Sequence, residues 1–185
     1  PKHGGSLALD EKAALPAYTD QMDVHLMPGN YQGGQSQGAE AGVVYDNGLD
    51  VFSFGVMGKN LDDIGHSMAN FTRLKWPDLN PKLIVDVGCT IGHNTLPWKQ
   101  TFPEAEVHGL DAASPCLQYG HARAEAMGIP IQFKQALCDA LPYSDSSVDV
   151  VFSSMFLHEL PTELIRAFFS EAHRVLKPGG VLINM

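Results

Sequence analysis

Two aspartates lie at the ends of apolar segments, where a carboxylate can reach a bound ligand. Asp86 lies near the end of an apolar run that starts at Leu83, and a turn with Gly88 and Gly92 follows it. The run is typical of a strand buried on both faces, and glycines let a ligand approach the backbone. Because the Asp86 carboxylate repels phosphate, the segment favours a ligand that is positively charged or donates hydrogen bonds. The alternative is an ordinary turn between a strand and a helix.

Asp111 ends the next apolar strand pattern, 25 residues after Asp86. This separation is close to the repeat of a strand–helix–strand unit, so the two acids would follow neighbouring strands. A carboxylate at the second position can accept hydrogen bonds from both ribose hydroxyls of an adenosine group. The alternative is that Asp111 is a surface turn residue or a helix cap.

His158 follows the fourth predicted strand and is the strongest candidate for a general base, since histidine titrates near neutral pH. A base is needed only where the molecule that reacts must lose a proton. The alternative is a histidine that packs at the surface or caps the next helix. No metal site is predicted, because the 8 histidines are scattered and the 3 cysteines lack the spacing of zinc ligands.

Apolar periodicity predicts alternating helices and strands over residues 61–185. Helices are expected at residues 61–76, 94–102, 114–127 and 162–176. Strands are expected at residues 83–87, 106–110, 129–133, 148–154 and 181–183, with a turn at residues 177–180 before the last. The helix at residues 61–76 is expected to pack on the sheet.

The first 60 residues carry weaker signals. They predict a short helix at residues 7–15, a loop or mobile segment at residues 28–48, and a strand or buried cover at residues 51–56. We therefore divide the chain into an N-terminal extension or cover, residues 1–60, partly mobile, and a ligand-binding core, residues 61–185.

Composition limits the classes of partner. The chain has 185 residues, enough for one domain, and its net charge is −9. Such an acidic chain has no general attraction to the phosphates of nucleic acids. No apolar run is long enough to span a membrane and no signal sequence opens the chain. The odd, scattered cysteines, Cys89, Cys116 and Cys138, favour a reducing, cytoplasmic location.

Four segments, taken in order, resemble the class I S-adenosylmethionine-dependent methyltransferases, in particular the small-molecule group with type 11 and type 25 domains. They are the glycine turn at residues 86–92, Asp111, the Leu-Pro-Tyr segment at residues 141–143 and the Lys-Pro-Gly-Gly turn at residues 177–180. The resemblance covers about residues 80–185. Two positions depart from the family pattern: Thr90 replaces its middle glycine, and Leu137 replaces its adenine-binding aspartate.

The resemblance implies an α/β fold with a Rossmann-like, doubly wound, mostly parallel sheet and helices on both faces. It implies S-adenosylmethionine as the cofactor, S-adenosylhomocysteine as its product, and methyl transfer to a small-molecule acceptor. In this family, Asp86 would hold the amino-acid end of the cofactor, Asp111 the ribose, and Leu137 with Cys138 the adenine. The full set that the resemblance assigns to the cofactor is Asp86, Gly88, Cys89, Gly92, Asp111, Ala112, Leu137, Cys138 and Ser154.

The family's sheet has seven strands, so two more are expected after residues 181–183. We therefore expect a core truncated after its fifth strand. An exposed edge at residues 181–183 would invite pairing with a second copy of the chain, giving a homo-oligomer.

Two other classes of function fit part of the sequence. A nicotinamide-dependent oxidoreductase would need the Gly-x-Gly-x-x-Gly fingerprint, which residues 88–93 do not supply. A module that binds S-adenosylmethionine without turnover stays open, because Thr90 and Leu137 depart from the family pattern.

Overall fold

The structure is a computed structural model, and it describes residues 2–10, 15, 17–20, 25, 30–32 and 38–185. Its strands are β1 (Ser6–Ala8), β2 (Leu83–Val87), β3 (Glu106–Asp111), β4 (Gln132–Gln135), β5 (Val148–Ser153) and β6 (Leu176–Asn184). Its helices are α1 (Glu40–Ser53), α2 (Asp63–Lys75), α3 (Leu96–Thr101), α4 (Ser114–Met127) and α5 (Thr162–Val175). Short 3-10 turns are formed by Ala17–Asp20, Asn30–Gln32 and Leu157–Glu159.

The strands form one sheet in the order β1-β4-β3-β2-β5-β6, and all of its neighbouring strands are parallel. From β2 the chain first builds outward through β3 and β4, and then returns to the other side of β2 for β5 and β6. The order therefore reverses between β2 and β5. In open sheets of this kind, ligands bind outside the carboxyl ends of the strands at such a reversal.

The two faces of the sheet bury different side chains because successive strand residues point in opposite directions. Ile84 packs in a cluster with Trp98 of α3 and with residues of α2 and α4. Val85 and Val87 pack on the other face with Phe168 of α5. Helices thus cover both faces, and the expected doubly wound α/β fold is confirmed.

Three expectations for the N-terminal part are wrong. Residues 7 and 8, placed in a short helix, belong to β1, which pairs with β4; residues 11–14, from the same predicted helix, lie outside the described residues. Residues 40–48, expected in a loop, belong to α1. Residues 51–56 are neither a strand nor a buried cover, since the side chains of Val51, Phe52, Phe54 and Val56 are at least 75% exposed.

Tertiary contacts explain why the local sequence patterns gave wrong predictions for β1 and α1. β1 has only three residues, too few for a periodic signal, and its backbone pairs with Gln132 and Phe133 of β4. α1 contains two glycines, which disfavour a helix in isolation. One of them, Gly42, lies so close to Tyr119 of α4 that a Cβ atom there would stand 2.4 Å from the Tyr119 Cβ.

β6 forms one end of the sheet in the part of the chain that the structure describes. Its residues 181–184 pair with residues 150–153 of β5, and a bulge at the expected turn shifts the register. Because β1 adds a strand, β6 is the sixth strand and not the fifth. Self-association through the outer edge of β6 stays a prediction, which sedimentation analysis would test. Among the described helices, none has both the length and the apolar character to cross a membrane.

Candidate functional site

The polar residues singled out in the sequence converge at the carboxyl ends of β2, β3 and β5. Asp86 pairs in register with Gly109 of β3 and with Phe152 of β5. Asp111 is the last residue of β3, and Ser154 directly follows β5. The site therefore lies where the strand order reverses, which is the position that the sheet topology favours for a ligand.

Asp86 is a buried acid, with only 2% of its surface exposed. Its Oδ2 accepts a hydrogen bond of 2.5 Å from the Thr95 hydroxyl. The pKa of Asp86 is raised to about 8, chiefly by burial and also by the nearby negative charge of Asp111, while the Thr95 hydrogen bond opposes the shift. A positively charged ligand beside Asp86 would favour its ionised form.

Four of the five backbone N–H groups of the glycine turn, residues 88–92, are already used inside the protein. Those of Gly88 and Cys89 donate to the carbonyl oxygen of Leu110, at 2.8 and 3.0 Å, and that of Gly92 donates to Cys89 at 2.8 Å. A turn that binds phosphate needs such groups free to point at the ligand. Together with Asp86, this arrangement argues against the pyrophosphate of a dinucleotide.

Gly88 has a structural role of its own. Its φ is +80°, and a Cβ atom there would lie 2.3 Å from a ring carbon of Phe156. Gly92 has the same φ and packs against Phe133 and Leu96. The turn needs both glycines even without a ligand, so close ligand approach at these positions stays a prediction.

Asp111 is held in one orientation by the backbone. Its Oδ2 accepts a hydrogen bond from the Thr90 N–H and its Oδ1 one from the Ala113 N–H, each at 2.8 Å. Burial raises the pKa of Asp111, while these backbone hydrogen bonds oppose the shift. Each carboxylate oxygen keeps a lone pair, so the group can accept two further hydroxyl donors.

A small pocket borders Asp111 on the side of β4. Ala112 and Leu137, both predicted to contact the cofactor, contribute to its wall. Gln135 bridges the pocket to the N-terminal segment, since it donates to Ala112 O at 2.9 Å and accepts from Asp10 N at 3.1 Å. The wall also includes Asp10, Leu15, Ala136 and Ala140. Five of the seven wall residues are apolar, a lining that suits a purine face.

Three other predicted residues differ in their surroundings. Cys138 is buried in the cluster beneath α5. The Cys89 side chain points into the opposite cluster, with its sulfur 3.0 Å from where a Cβ of Gly109 would lie. Cys89 can therefore meet a ligand only through its backbone, whose N–H is already bonded. Ser154 accepts a hydrogen bond of 3.1 Å from the side chain of Asn94.

Tyrosines from the first 45 residues also surround the site, and the sequence analysis missed them. A side-chain hydrogen bond links Tyr45 to Thr90, and burial raises the pKa of Tyr45 to about 12. Burial also raises the pKa of Tyr18 to about 12, and the nearby charges include Asp111 and Glu159. No local pattern marks these residues, because their role depends on contacts with distant parts of the chain.

His158 lies in the 3-10 turn that follows β5. Its side chain is 52% exposed, and its Nε2 lies 3.2 Å from Oε1 of Glu159. His25 contacts the same carboxylate oxygen at 2.8 Å, and the Tyr31 hydroxyl donates to it at 3.0 Å. The predicted base is thus one member of a cluster of polar side chains.

Comparisons with known proteins agree with this architecture. The methyltransferase domain family matches residues 84–180. A malonyl-[acyl-carrier protein] O-methyltransferase from Hahella chejuensis is 35% identical over 121 residues, which cover 65% of this chain and 40% of that protein. A demethylmenaquinone methyltransferase from Thermus thermophilus is 35% identical over 103 residues, covering 56% of this chain and 46% of that protein.

A solved structure from Methanococcus maripaludis, a candidate S-adenosyl-L-methionine-dependent methyltransferase, has the same fold. It aligns with a TM-score of 0.66 at 15% sequence identity, over 80% of this chain and 64% of that one. The family match covers more than half of the sequence. The chain belongs to the methyltransferase domain family, in the class that uses S-adenosylmethionine. It spans 40% and 46% of the length of the two curated relatives.

The residues present fit this cofactor. The charged neighbour that raises the pKa of the buried Asp86 is a second carboxylate, Asp111, so the end of the sheet at these two residues is electronegative when they ionise. Such a site suits a ligand with a sulfonium and an ammonium group. The free lone pairs of Asp111 suit the ribose hydroxyls, and the apolar wall at Leu137 suits the adenine.

Proposed function

We propose that this protein transfers a methyl group from S-adenosylmethionine to a small-molecule acceptor. The observation that carries the proposal is the pair of carboxylates, Asp86 and Asp111, at the ends of adjacent strands beside a turn in which four of the five N–H groups are already bonded. When they are ionised the two carboxylates repel phosphate, and a cationic ligand with hydroxyl groups in turn favours their ionised form.

Four of the residues predicted to contact the cofactor are assigned binding roles. Asp86 holds the cationic amino-acid end of the cofactor, and Asp111 accepts hydrogen bonds from the ribose. Leu137 packs on the face of the purine ring, and the backbone of Cys138 forms hydrogen bonds with the edge of that ring. The bound cofactor supplies an activated methyl group with a good leaving group. The protein then has to align the acceptor with that group and exclude water.

On the acceptor side, we assign proton acceptance to His158. Its Nε2 faces the Glu159 carboxylate at 3.2 Å, an arrangement that would stabilise an imidazolium after proton transfer. The names of the two relatives refer to a malonyl-acyl carrier protein and to demethylmenaquinone. We infer a small organic acceptor, since the net charge of −9 disfavours a nucleic acid.

A second candidate function is a module that binds S-adenosylmethionine without turnover. Phe156 packs directly on Gly88, and Tyr45 is bonded to Thr90, so aromatic rings lie close to the glycine turn. Cofactor binding without methyl transfer to any of a broad panel of acceptors would favour this candidate.

We also propose a cytoplasmic location. The three cysteines are unpaired and buried, as expected in a reducing compartment. Cell fractionation with an antibody against the chain would test this, and recovery outside the cytoplasm would contradict it.

The proposed function can be tested through Asp111. Asp111→Asn replaces one acceptor oxygen by an amide, so we expect S-adenosylmethionine to bind about 10- to 100-fold more weakly. Asp78→Asn, at an exposed turn, is the matched control and should bind like the wild type. The measurements are calorimetric affinity and transfer of a radiolabelled methyl group to an acceptor panel. Equal affinities of the wild type and Asp111→Asn would contradict the ribose assignment.

A further inference from the structure

His25, His158 and Glu159 bring three metal-binding atoms together beside the site. The two histidine Nε2 atoms are 3.4 Å apart, and Oε1 of Glu159 lies 2.8 Å from His25 and 3.2 Å from His158. The sequence offers no sign of this cluster, because 133 positions separate His25 from His158.

The spacing of these atoms matches the ligand shell of a small divalent cation. Zinc bonds to histidine nitrogen and carboxylate oxygen are about 2.0–2.2 Å long, so tetrahedral ligands lie roughly 3.3 Å apart. The observed separations of 2.8, 3.2 and 3.4 Å need shifts of only about half an ångström to reach that spacing. The two rings meet edge to face, at an interplanar angle of 76°, so they do not stack on each other.

The surroundings support a cation at this point. The Tyr31 hydroxyl donates to the Glu159 oxygen at 3.0 Å, and such outer contacts orient metal ligands. The negative charge of Glu159 also acts on Asp111 and on Tyr18 and Tyr45, where it raises the pKa of each group. A bound cation would offset this concentration of negative charge.

We propose that His25, His158 and Glu159 form a binding site for one divalent transition-metal ion of the zinc class. Two imidazoles and one carboxylate are a ligand set that zinc accepts, whereas magnesium and calcium prefer oxygen ligands. Three protein ligands leave a coordination position open. That position suits an oxygen group of the acceptor, such as a hydroxyl or carboxylate.

The inference about the acceptor rests on the proposed methyl transfer, but metal binding itself does not. A bound ion uses the same Nε2 lone pair of His158 that proton acceptance needs. In the metal-loaded protein His158 would therefore not accept the proton; the ion would instead lower the pKa of an acceptor hydroxyl, whose proton would pass to water.

Equilibrium dialysis of the purified chain against zinc chloride tests the proposal, with magnesium chloride as the comparison. We expect one zinc ion per chain and no competition from magnesium at equal concentration. His158→Ala and Glu159→Gln should each weaken zinc binding at least about 10-fold. His66→Ala is the matched control, because His66 lies outside the cluster, with its Nε2 3.7 Å from Oδ2 of Asp62.

Loss of zinc binding in the cluster variants alone would support the site, once circular dichroism shows that they remain folded. Intense visible absorption of cobalt(II) bound to the wild type, absent in Glu159→Gln, would support it independently. No stoichiometric zinc in the wild type, or equal affinity in all variants, would overturn the proposal. Methyl transfer by a chain that binds no zinc would leave the proposed function standing and remove this inference.

Discussion

At the scale of single residues, the burial of Asp86 sets the character of the site. An isolated carboxyl group is costly to bury, and the protein keeps it largely protonated by raising its pKa to about 8. Between about pH 4 and pH 8 the folded chain therefore holds a proton that the unfolded chain has released. Folding stability from this group is highest at low pH and falls as the pH rises through that window.

Cofactor affinity should follow the ionisation of Asp86. We expect S-adenosylmethionine to bind more tightly as the pH rises from about 6 to 8, by at most about tenfold per pH unit, because the carboxylate attracts the cation. Asp86→Asn cannot ionise, so its affinity should be lower and should vary less with pH. Calorimetric titration at several pH values measures both proteins. The same pH dependence in both would show that Asp86 does not contact the cationic end, since the ionisation of the ligand is common to them.

Adding a side-chain methyl group at Gly88 should destabilise the fold for two reasons. The backbone there has a φ of +80°, and the Phe156 ring occupies the space that the methyl group would need. We expect Gly88→Ala to lower the free energy of unfolding by about 2–5 kcal/mol. The matched control is Gly55→Ala, because Gly55 has φ +75° but no atom near its Cβ position. That change should cost only about 1 kcal/mol.

Urea denaturation of both glycine variants separates backbone strain from the clash with Phe156. The double variant Gly88→Ala with Phe156→Ala should show a smaller loss than the sum of the two single changes. Equal losses for Gly88→Ala and Gly55→Ala would mean that the Phe156 ring moves aside without cost.

At the scale of elements, the alternation of helices and strands from residue 61 onward could be predicted with few errors. β2 has the predicted bounds, residues 83–87, and α4 the predicted bounds, residues 114–127. Both follow from local rules: an apolar strand before a glycine turn, and a helix that closes at Gly128 with φ +71°. β1 and α1 could not be predicted, since each depends on a partner far away in sequence.

Asp46 holds α1 over the glycine turn through two side-chain contacts. The Asp46 carboxylate lies 2.8 Å from Nε2 of the buried His93 and accepts a hydrogen bond of 2.5 Å from the Tyr119 hydroxyl. The hydrogen bond with His93 is the main cause that lowers the pKa of Asp46. Because the folded pKa lies below the unfolded value of 3.8, the stabilisation is present above about pH 4 and is lost at lower pH.

Removing the Asp46 side chain should loosen α1 while the sheet remains intact. We expect Asp46→Ala to speed amide hydrogen exchange throughout residues 40–53 and to leave α5 unchanged. Asp50→Ala, an exposed position on the same helix, is the control and should exchange like the wild type. Unaltered exchange in α1 after Asp46→Ala would contradict the role of this cluster.

At the scale of the whole molecule, the order of motifs indicated the family before any contact was known. Asp86 and Asp111 could be assigned from sequence because parallel strands bring their carboxyl ends to one edge. The cluster of His25 and Glu159, and the tyrosines beside Asp111, could not be assigned, since the path of the first 60 residues leaves no local signature. Apart from His158, the residues proposed to contact the methyl acceptor could therefore be identified only from the structure.

The proposed methyl transfer requires that S-adenosylmethionine binds beside Asp86 and Asp111. Calorimetric titration of the chain with S-adenosylmethionine, S-adenosylhomocysteine and NAD tests it most directly. We predict micromolar binding of the first two at one site per chain and no binding of NAD. Binding of NAD, or of none of the three ligands, would contradict the account.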